Sequence, residues 1–434
     1  MQYIDFEALN KPCGCGVEHP KSNLLYREGT VESLPELVGE LNLPGKRCAL
    51  IMDKNTRAAA GERAENALRQ AGYEVKEILL AGDHPHADTA NVERVEREAA
   101  GASLLVAVGA GTMGDIARYS AFQLDIPFVT VGTALSMDGY ASSVAPIVVN
   151  GFKRTFSAKP PAGLLADGDV LLTGGALMTA SGVGDMAGKL VSLLDWRLAE
   201  ITEHEYRCQN TVDIVTKAAN LAVDSAQGLK DGDPEAARAL MSGLVISGMM
   251  IARIGNSRPA SGCEHMISHF LEIRDVLLNR TEQFHGARVG VGTLLMMEIY
   301  RRFFEKPMDP VKAPSVQPDM EAFFLHAADE VRREAGSAHY ADFELEHERL
   351  LNSWDEFKAE VDQVVAQSGR IRAALSLLGG PVNMYELGYS KDEALNALLY
   401  AKNIRTRFGL LRLLDRWGVL KPLATEVMED MYDK

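Results

Sequence analysis

The stretch LLVAVGAGTMGD, residues 104–115, decides the fold. Leu104–Val108 is an apolar run of strand length, and it enters a Gly-x-Gly-x-x-Gly turn, Gly109 to Gly114, that opens a helix. Glycines there let the backbone approach a pyrophosphate. The first helical turn adds unpaired N–H groups and the positive end of a dipole. A strand-to-helix turn without a ligand has the same composition, so the motif alone leaves both readings open. The acidic residue usual about 20 residues on is not evident. Asp53 instead closes an earlier strand, where it would accept from a ribose hydroxyl or stand solvated in a turn.

Outward from that turn, Arg47–Met52, Glu74–Leu80 and Pro127–Val131 read as further strands, with an alanine-rich helix over Arg57–Ala71. Such alternation implies a parallel, doubly wound sheet. Ile147–Leu165, with Asn150-Gly151 at a turn, is expected to close this half as a hairpin. From about Thr173 the spacing changes to helical, over Gly175–Ile201, Cys208–Ala226, Asp233–Ile254 and His285–Phe304. Pro307–Pro318, with its four prolines, is a loop or linker. The expectation is an α/β dinucleotide-binding domain over 1–172 followed by an all-α domain over 173–434. The latter includes a helical C-terminal extension from about 320 to which no role is given.

With 434 residues, two domains are the default. The hydrophobic share of 47% fits a globular protein, and no apolar run reaches the ~18–20 residues of a membrane span. Leu240–Ile254, the richest candidate, is broken by Ser242, Gly243, Ser247, Gly248 and Arg253 and reads as a buried helix. The first residues lack a basic-then-apolar signal, and five cysteines are few and odd in number for a disulfide scaffold, so a cytoplasmic setting is expected. A net charge of -15 excludes a nucleic-acid partner and leaves an anionic substrate dependent on local cations.

A second loop, Thr130 to Ser143, follows the fourth strand, where open α/β sheets place ligands. Thr133, Ser136 and Ser142 offer hydroxyls to phosphate or ribose, and Asp138 can accept from a substrate hydroxyl. Ordinary loop composition explains the same residues equally well. In the helical half stand Asp185, His265, His269 and His285. His265 and His269, four apart, share a helix face. Two imidazoles and a carboxylate leave positions open on a divalent ion, although isolated histidines are commonly structural. Cys13-Gly-Cys15 with His19 resembles part of a metal site, but three ligands in an irregular leader favour incidental cysteines.

Five stretches in combination resemble the sn-glycerol-1-phosphate dehydrogenase family, within the superfamily of iron-type alcohol dehydrogenases, glycerol dehydrogenases and dehydroquinate synthases. They are Ser136-Met-Asp-Gly-Tyr-Ala-Ser142, Gly184-Asp185 with Lys189, Ser257-Arg-Pro-Ala-Ser-Gly262, Glu264-His265 and His285-Gly286. The resemblance is densest over Ala107–Trp196 and Gly255–Gly292 and thin beyond Lys306. It implies a dehydroquinate synthase-like fold, NAD or NADP as cofactor, one divalent metal (zinc or nickel) and a homo-oligomer. It also implies that Gly109, Ala110, Gly111, Thr112, Met113, Thr133, Ala134, Leu135, Ser136 and Ser142 hold the dinucleotide. Asp138, Asp185 and His269 would serve catalysis and substrate, and Asp185, His265 and His285 the metal. Arg258 and Lys159 are the candidate cations for a substrate phosphate, with Lys189 next.

Ala110 departs from the family's usual middle glycine. Gly132 and Leu135 replace common prolines, so a more mobile loop is expected. The implied reaction is reduction of dihydroxyacetone phosphate to sn-glycerol 1-phosphate, the dinucleotide lying in a cleft between domains. The competing readings are a dehydrogenase of a free polyol such as glycerol, a dehydroquinate-synthase-like lyase (whose first metal ligand is usually Glu, not Asp), and a catalytically silent relative that binds nucleotide and metal.

Overall fold

The computed structural model describes residues 8–82, 85–149, 152–281, 283–305, 311–337 and 339–432. In chain order the first elements are β1 (Leu25–Glu28), α1 (Leu34–Glu40), β2 (Arg47–Met52), α2 (Glu62–Gln70), β3 (Glu74–Leu79), α3 (Thr89–Glu98), β4 (Leu104–Gly109) and α4 (Gly111–Gln123). There follow β5 (Phe128–Gly132), β6 (Val144–Val149), β7 (Phe152–Ser157), β8 (Gly163–Ala166) and α5 (Ala176–Glu203). The longer helices that come next are α6 (Gln209–Asp224), α7 (Pro234–Ile254), α8 (Cys263–Leu277) and α9 (His285–Glu305). The chain forms two compact units. The first runs to Gly182 and includes Asp224–Gly255; the second is Val183–Val223 with the residues from Asn256 onward.

In the first unit six strands pair in parallel in the order β1-β8-β5-β4-β2-β3. Every residue of β4 and β5 is buried, so these strands read as continuous apolar runs rather than alternating ones. Leu34, Leu37, Ala64 and Leu68 of α1 and α2 pack with Leu50, Val106 and Val131 in one apolar core. Val92 and Val95 of α3 and Ile116, Ala117 and Ala121 of α4 pack with Ile51, Leu105 and Ala107 in another. Two helical layers thus sandwich a doubly wound sheet. The chain leaves β2 and β4 toward opposite faces, which opens the crevice at their carboxyl ends where such sheets take ligands.

The hairpin expected over Ile147–Leu165 is shorter and earlier. β6 pairs with β7 antiparallel, Val144 opposite Ser157, while β8 joins the parallel sheet between β1 and β5. Asn150-Gly151 lies outside the described residues. α7 also departs from the expected division, because it packs in the first unit against Gly168–Leu172 and Gly139–Ala141. It is long and apolar enough to cross a membrane, but 78% of its most apolar window is buried within the fold.

The second unit is helical. Its aromatic core joins Tyr300, Phe303 and Phe304 of α9 to residues of the C-terminal extension. Trp354 lies 4.6 Å from Phe304 and Trp417 lies 5.8 Å from Phe303, between ring centroids. The extension therefore completes this core, a role the sequence did not disclose.

Candidate active site

At the carboxyl end of β4 the chain turns as expected: the strand ends at Gly109 and α4 starts at Gly111. A Cβ on Gly109 would meet Met113 Cγ at 2.3 Å, so the turn closes only around glycine. Ala110 occupies the N-cap position and contributes no side-chain hydrogen bond, and the first turn of α4 carries no acid. The amides of Gly111, Thr112 and Met113 thus face a position without a capping carboxylate, as an anion site requires. Asp53 directly follows the neighbouring strand β2. Its Oδ1 accepts from the amides of Asn55 and Thr56, both at 2.8 Å, so it first serves as a helix cap.

The second loop is pinned rather than mobile. Arg118, buried and paired with Asp115 at 2.6 Å, donates to the carbonyls of Gly139 (2.5 Å), Tyr140 (3.3 Å) and Val144 (3.3 Å). Tyr140 donates to the Ala134 carbonyl at 2.6 Å and Ser181 to that of Ser136 at 2.9 Å. The Thr133 amide reaches the Gly109 carbonyl at 3.3 Å, tying the two loops together. A Cβ on Gly182 would lie 2.2 Å from the Leu135 carbonyl oxygen, so α5 seats directly on the loop. Asp138 accepts from Ser247 at 2.7 Å, and Ser142 caps the backbone at Val144.

In the second unit, three helices approach closely enough to bring distant residues together. A Cβ on Gly290 would lie 2.9 Å from Gly184 Cα, and one on Gly292 would lie 2.9 Å from the Glu264 carbonyl oxygen. This glycine contact brings α5, α8 and α9 together. One ligand atom each from Asp185, His265 and His285 lie within 4.8 Å of one another. His269, Glu272 and His285 form a second such group. The rings of His265 and His269 stand 5.4 and 5.3 Å from that of His285. Glu272 was missed in the sequence, where only its spacing of three from His269 pointed to it.

Two of the ligands are held from behind. Lys189, wholly buried, donates to Asp185 Oδ1 at 2.6 Å, and His265 Nε2 lies 3.3 Å from the same oxygen. Burial works to raise the Asp185 carboxyl, but Lys189, His265 and His285 together hold it well below the carboxylate range. Burial pushes His285 well below the usual imidazole value and lowers His269. His265 is opposed by burial and by Lys189, yet is raised overall by Asp185 and Glu264. The amino end of α8 is fixed by buried Asp195, which accepts from the Cys263 amide (2.6 Å), the Leu410 amide (2.8 Å) and Tyr300 (2.7 Å).

This donor set fits a divalent ion. It offers one carboxylate and imidazoles kept neutral at His285. The 3.3 Å between His265 Nε2 and Asp185 Oδ1 suits ligands sharing an ion at bonds of ~2.0–2.2 Å. The two phosphate cations expected from the sequence are committed elsewhere. Arg258 is buried, forked on Glu205 and donating to the Phe408 carbonyl at 2.5 Å, and Lys159 pairs with Asp125 at the surface. Arg405 carries positive charge that reaches His269 and disfavours its protonated form.

Residues 25–174 match the family model of iron-containing alcohol dehydrogenases. The chain is 31% identical over 388 residues to the glycerol-1-phosphate dehydrogenase [NAD(P)+] of Bacillus subtilis, covering 88% of each protein. It belongs to the glycerol-1-phosphate dehydrogenase family. The enzyme of that name from Bacillus licheniformis is 29% identical over 419 residues, 95% of this chain and 94% of its own. That from Methanosarcina acetivorans is 31% identical over 307 residues, 70% of this chain and 83% of its own. Among solved structures, glycerol dehydrogenase from Schizosaccharomyces pombe superposes with a TM-score of 0.60 at 15% identity, covering 95% of this chain and 94% of that one. Sulfoacetaldehyde reductase from Bifidobacterium kashiwanohense, solved with NAD+, gives 0.62 at 12% identity, covering 95% and 99%. These two share the fold. The chain is thus an NAD(P)-linked dehydrogenase with the iron-type alcohol dehydrogenase fold.

Proposed function

We propose that this enzyme reduces dihydroxyacetone phosphate to sn-glycerol 1-phosphate, reversibly, with NADH or NADPH and one divalent ion of zinc or nickel. The observation that carries the reading is the convergence of Asp185, His265 and His285 in a chain of this family. When bound, the ion polarises a carbonyl and stabilises alkoxide charge while the reduced nicotinamide supplies hydride to C2.

The chain's own residues do the rest. The amides of Gly111, Thr112 and Met113 receive the pyrophosphate, and the pinned loop from Thr133 to Ser142 supports the dinucleotide. Asp185, His265 and His285 hold the ion. Glu264 fixes the His265 ring by accepting from Nδ1 at 2.6 Å. The proton taken by the C2 oxygen arrives through water or His269, and Glu272, 3.3 Å from its Nδ1, offsets part of the burial that disfavours the charged ring. Arg405 takes over the phosphate role first given to Arg258 and Lys159. A homo-oligomer and a cytoplasmic setting belong to the same reading.

A free-polyol dehydrogenase would use the same ligands. The test is NADH oxidation on dihydroxyacetone phosphate with and without chelator, paired with kcat/KM for glycerol 1-phosphate and for glycerol. Preference for the phosphorylated substrate, lost on chelation, is expected. Preference for glycerol would overturn the substrate, and chelator-resistant turnover would overturn the metal.

A further inference from the structure

We propose that Cys13, Cys15 and His19 form a second metal site, for a thiophilic divalent ion of the zinc class, which fastens the leader of the first unit. The sequence favoured incidental cysteines, but the geometry does not. Cys13 Sγ lies 3.0 Å from Cys15 Sγ, and Cys15 Sγ lies 3.2 Å from His19 Nε2. The sulfur separation is far beyond the ~2.05 Å of a disulfide, and no disulfide joins the two cysteines. Gly14 and Gly16, at φ of 70° and 81°, turn the backbone tightly after each cysteine and allow both sulfurs to face His19.

The histidine is oriented as a ligand. Its Nδ1 lies 3.0 Å from the Arg253 carbonyl oxygen, which can only accept, so the proton sits on Nδ1 and the lone pair of Nε2 faces the sulfurs. The surrounding backbone is fixed as well. Asn10 and Ser22 close the loop through two hydrogen bonds of 2.9 Å, Asn10 Nδ2 to the Ser22 carbonyl and the Ser22 amide to Asn10 Oδ1. Arg253, buried at the end of α7, donates to the carbonyls of Leu9 and Lys11. Two thiolates and an imidazole match the soft donor set of zinc. Binding would release the two thiol protons and involves no redox change.

The site is independent of the catalytic ion, and its test keeps the two apart. In the native full-length protein, Cys48, Cys208 and Cys263 are buried, so a thiol reagent reads Cys13 and Cys15. Both are expected to be protected until a chelator is added, and then to react as one zinc per chain is released to a metallochromic dye. C13S/C15S should lose one equivalent of metal and keep the other, whereas H265A should show the reverse. Cobalt-loaded protein should show a thiolate-to-metal charge-transfer band that C13S/C15S lacks. Two thiols reactive at once without chelator, thiols that appear only after a reductant, or an unchanged metal count in C13S/C15S would each overturn the proposal. The thiol and dye readings on the unmodified protein decide the matter should the variant fail to fold.

Discussion

His265 donates a hydrogen bond from Nδ1–H to Glu264 Oε1 at 2.6 Å, and its other nitrogen, Nε2, lies 3.3 Å from Asp185 Oδ1. One carboxylate thereby sets the tautomer of a ring whose lone pair faces another. Glu264 is itself anchored, accepting from the Gly262 amide at 2.8 Å. Loss of such an outer partner typically costs ~10–100-fold in metal affinity. E264Q is expected to weaken metal binding by about that factor in competition with a chelating dye, while circular dichroism shows a folded protein.

Lys189 neutralises Asp185 inside the fold, both side chains being 0% exposed. Breaking a buried pair by removing one partner costs roughly 3–5 kcal/mol. A divalent ion on Asp185 would offset part of that loss. K189M should therefore lower the Tm of the metal-free protein more than that of the metal-loaded protein, so the Tm gain on adding metal grows. An equal drop in both forms would separate Lys189 from the ligand set.

Arg258 is structural, and under the proposed function Arg405 takes the phosphate role expected of Arg258 and Lys159. With Arg258 buried against half-exposed Glu205 and the Phe408 carbonyl, R258A should destabilise by about 1–3 kcal/mol in urea unfolding. R405A should leave stability within about 0.5 kcal/mol and reduce kcat/KM for the phosphorylated substrate roughly 10–100-fold, with little effect on glycerol. Steady-state kinetics on both substrates checks this.

Glu346 sits wholly buried in the helical unit, 2.9 Å from Arg416 and accepting from Trp417 at 3.0 Å. Burial outweighs both partners and pushes its carboxyl up to about 7. The folded state then prefers the protonated acid. Its contribution is fully present below the unfolded value, near 4.5, and is lost as pH rises through about 7. The swing is on the order of 3 kcal/mol. The Tm difference between the native protein and E346Q should therefore shift in favour of E346Q between pH 5 and pH 8.

Much of this was legible from local chemistry. The run Leu104–Val108 into Gly109 identified β4 and α4 because a fully apolar strand and a glycine turn are local signals. β1, with the sequence LYRE and every residue half-exposed, carries no apolar run and was missed. The ligand residues could be named from their resemblance, but not their meeting, which depends on Gly184 touching Gly290 across two helices. Arg258 looked like a phosphate cation because its partners Glu205 and Phe408 are 53 and 150 residues away in the chain. α7 reads as helix from periodicity, yet periodicity does not say which unit it packs in. Long-range packing decided each of these.

In the proposed function Asp185, His265 and His285 hold one catalytic cation. Metal content per chain by elemental analysis, measured alongside NADH oxidation on dihydroxyacetone phosphate for the native protein and H265A, tests it most directly. The expected result is that H265A loses one equivalent of metal and the activity together while remaining folded. An H265A protein that retains full metal content and turns over like the native enzyme would contradict it.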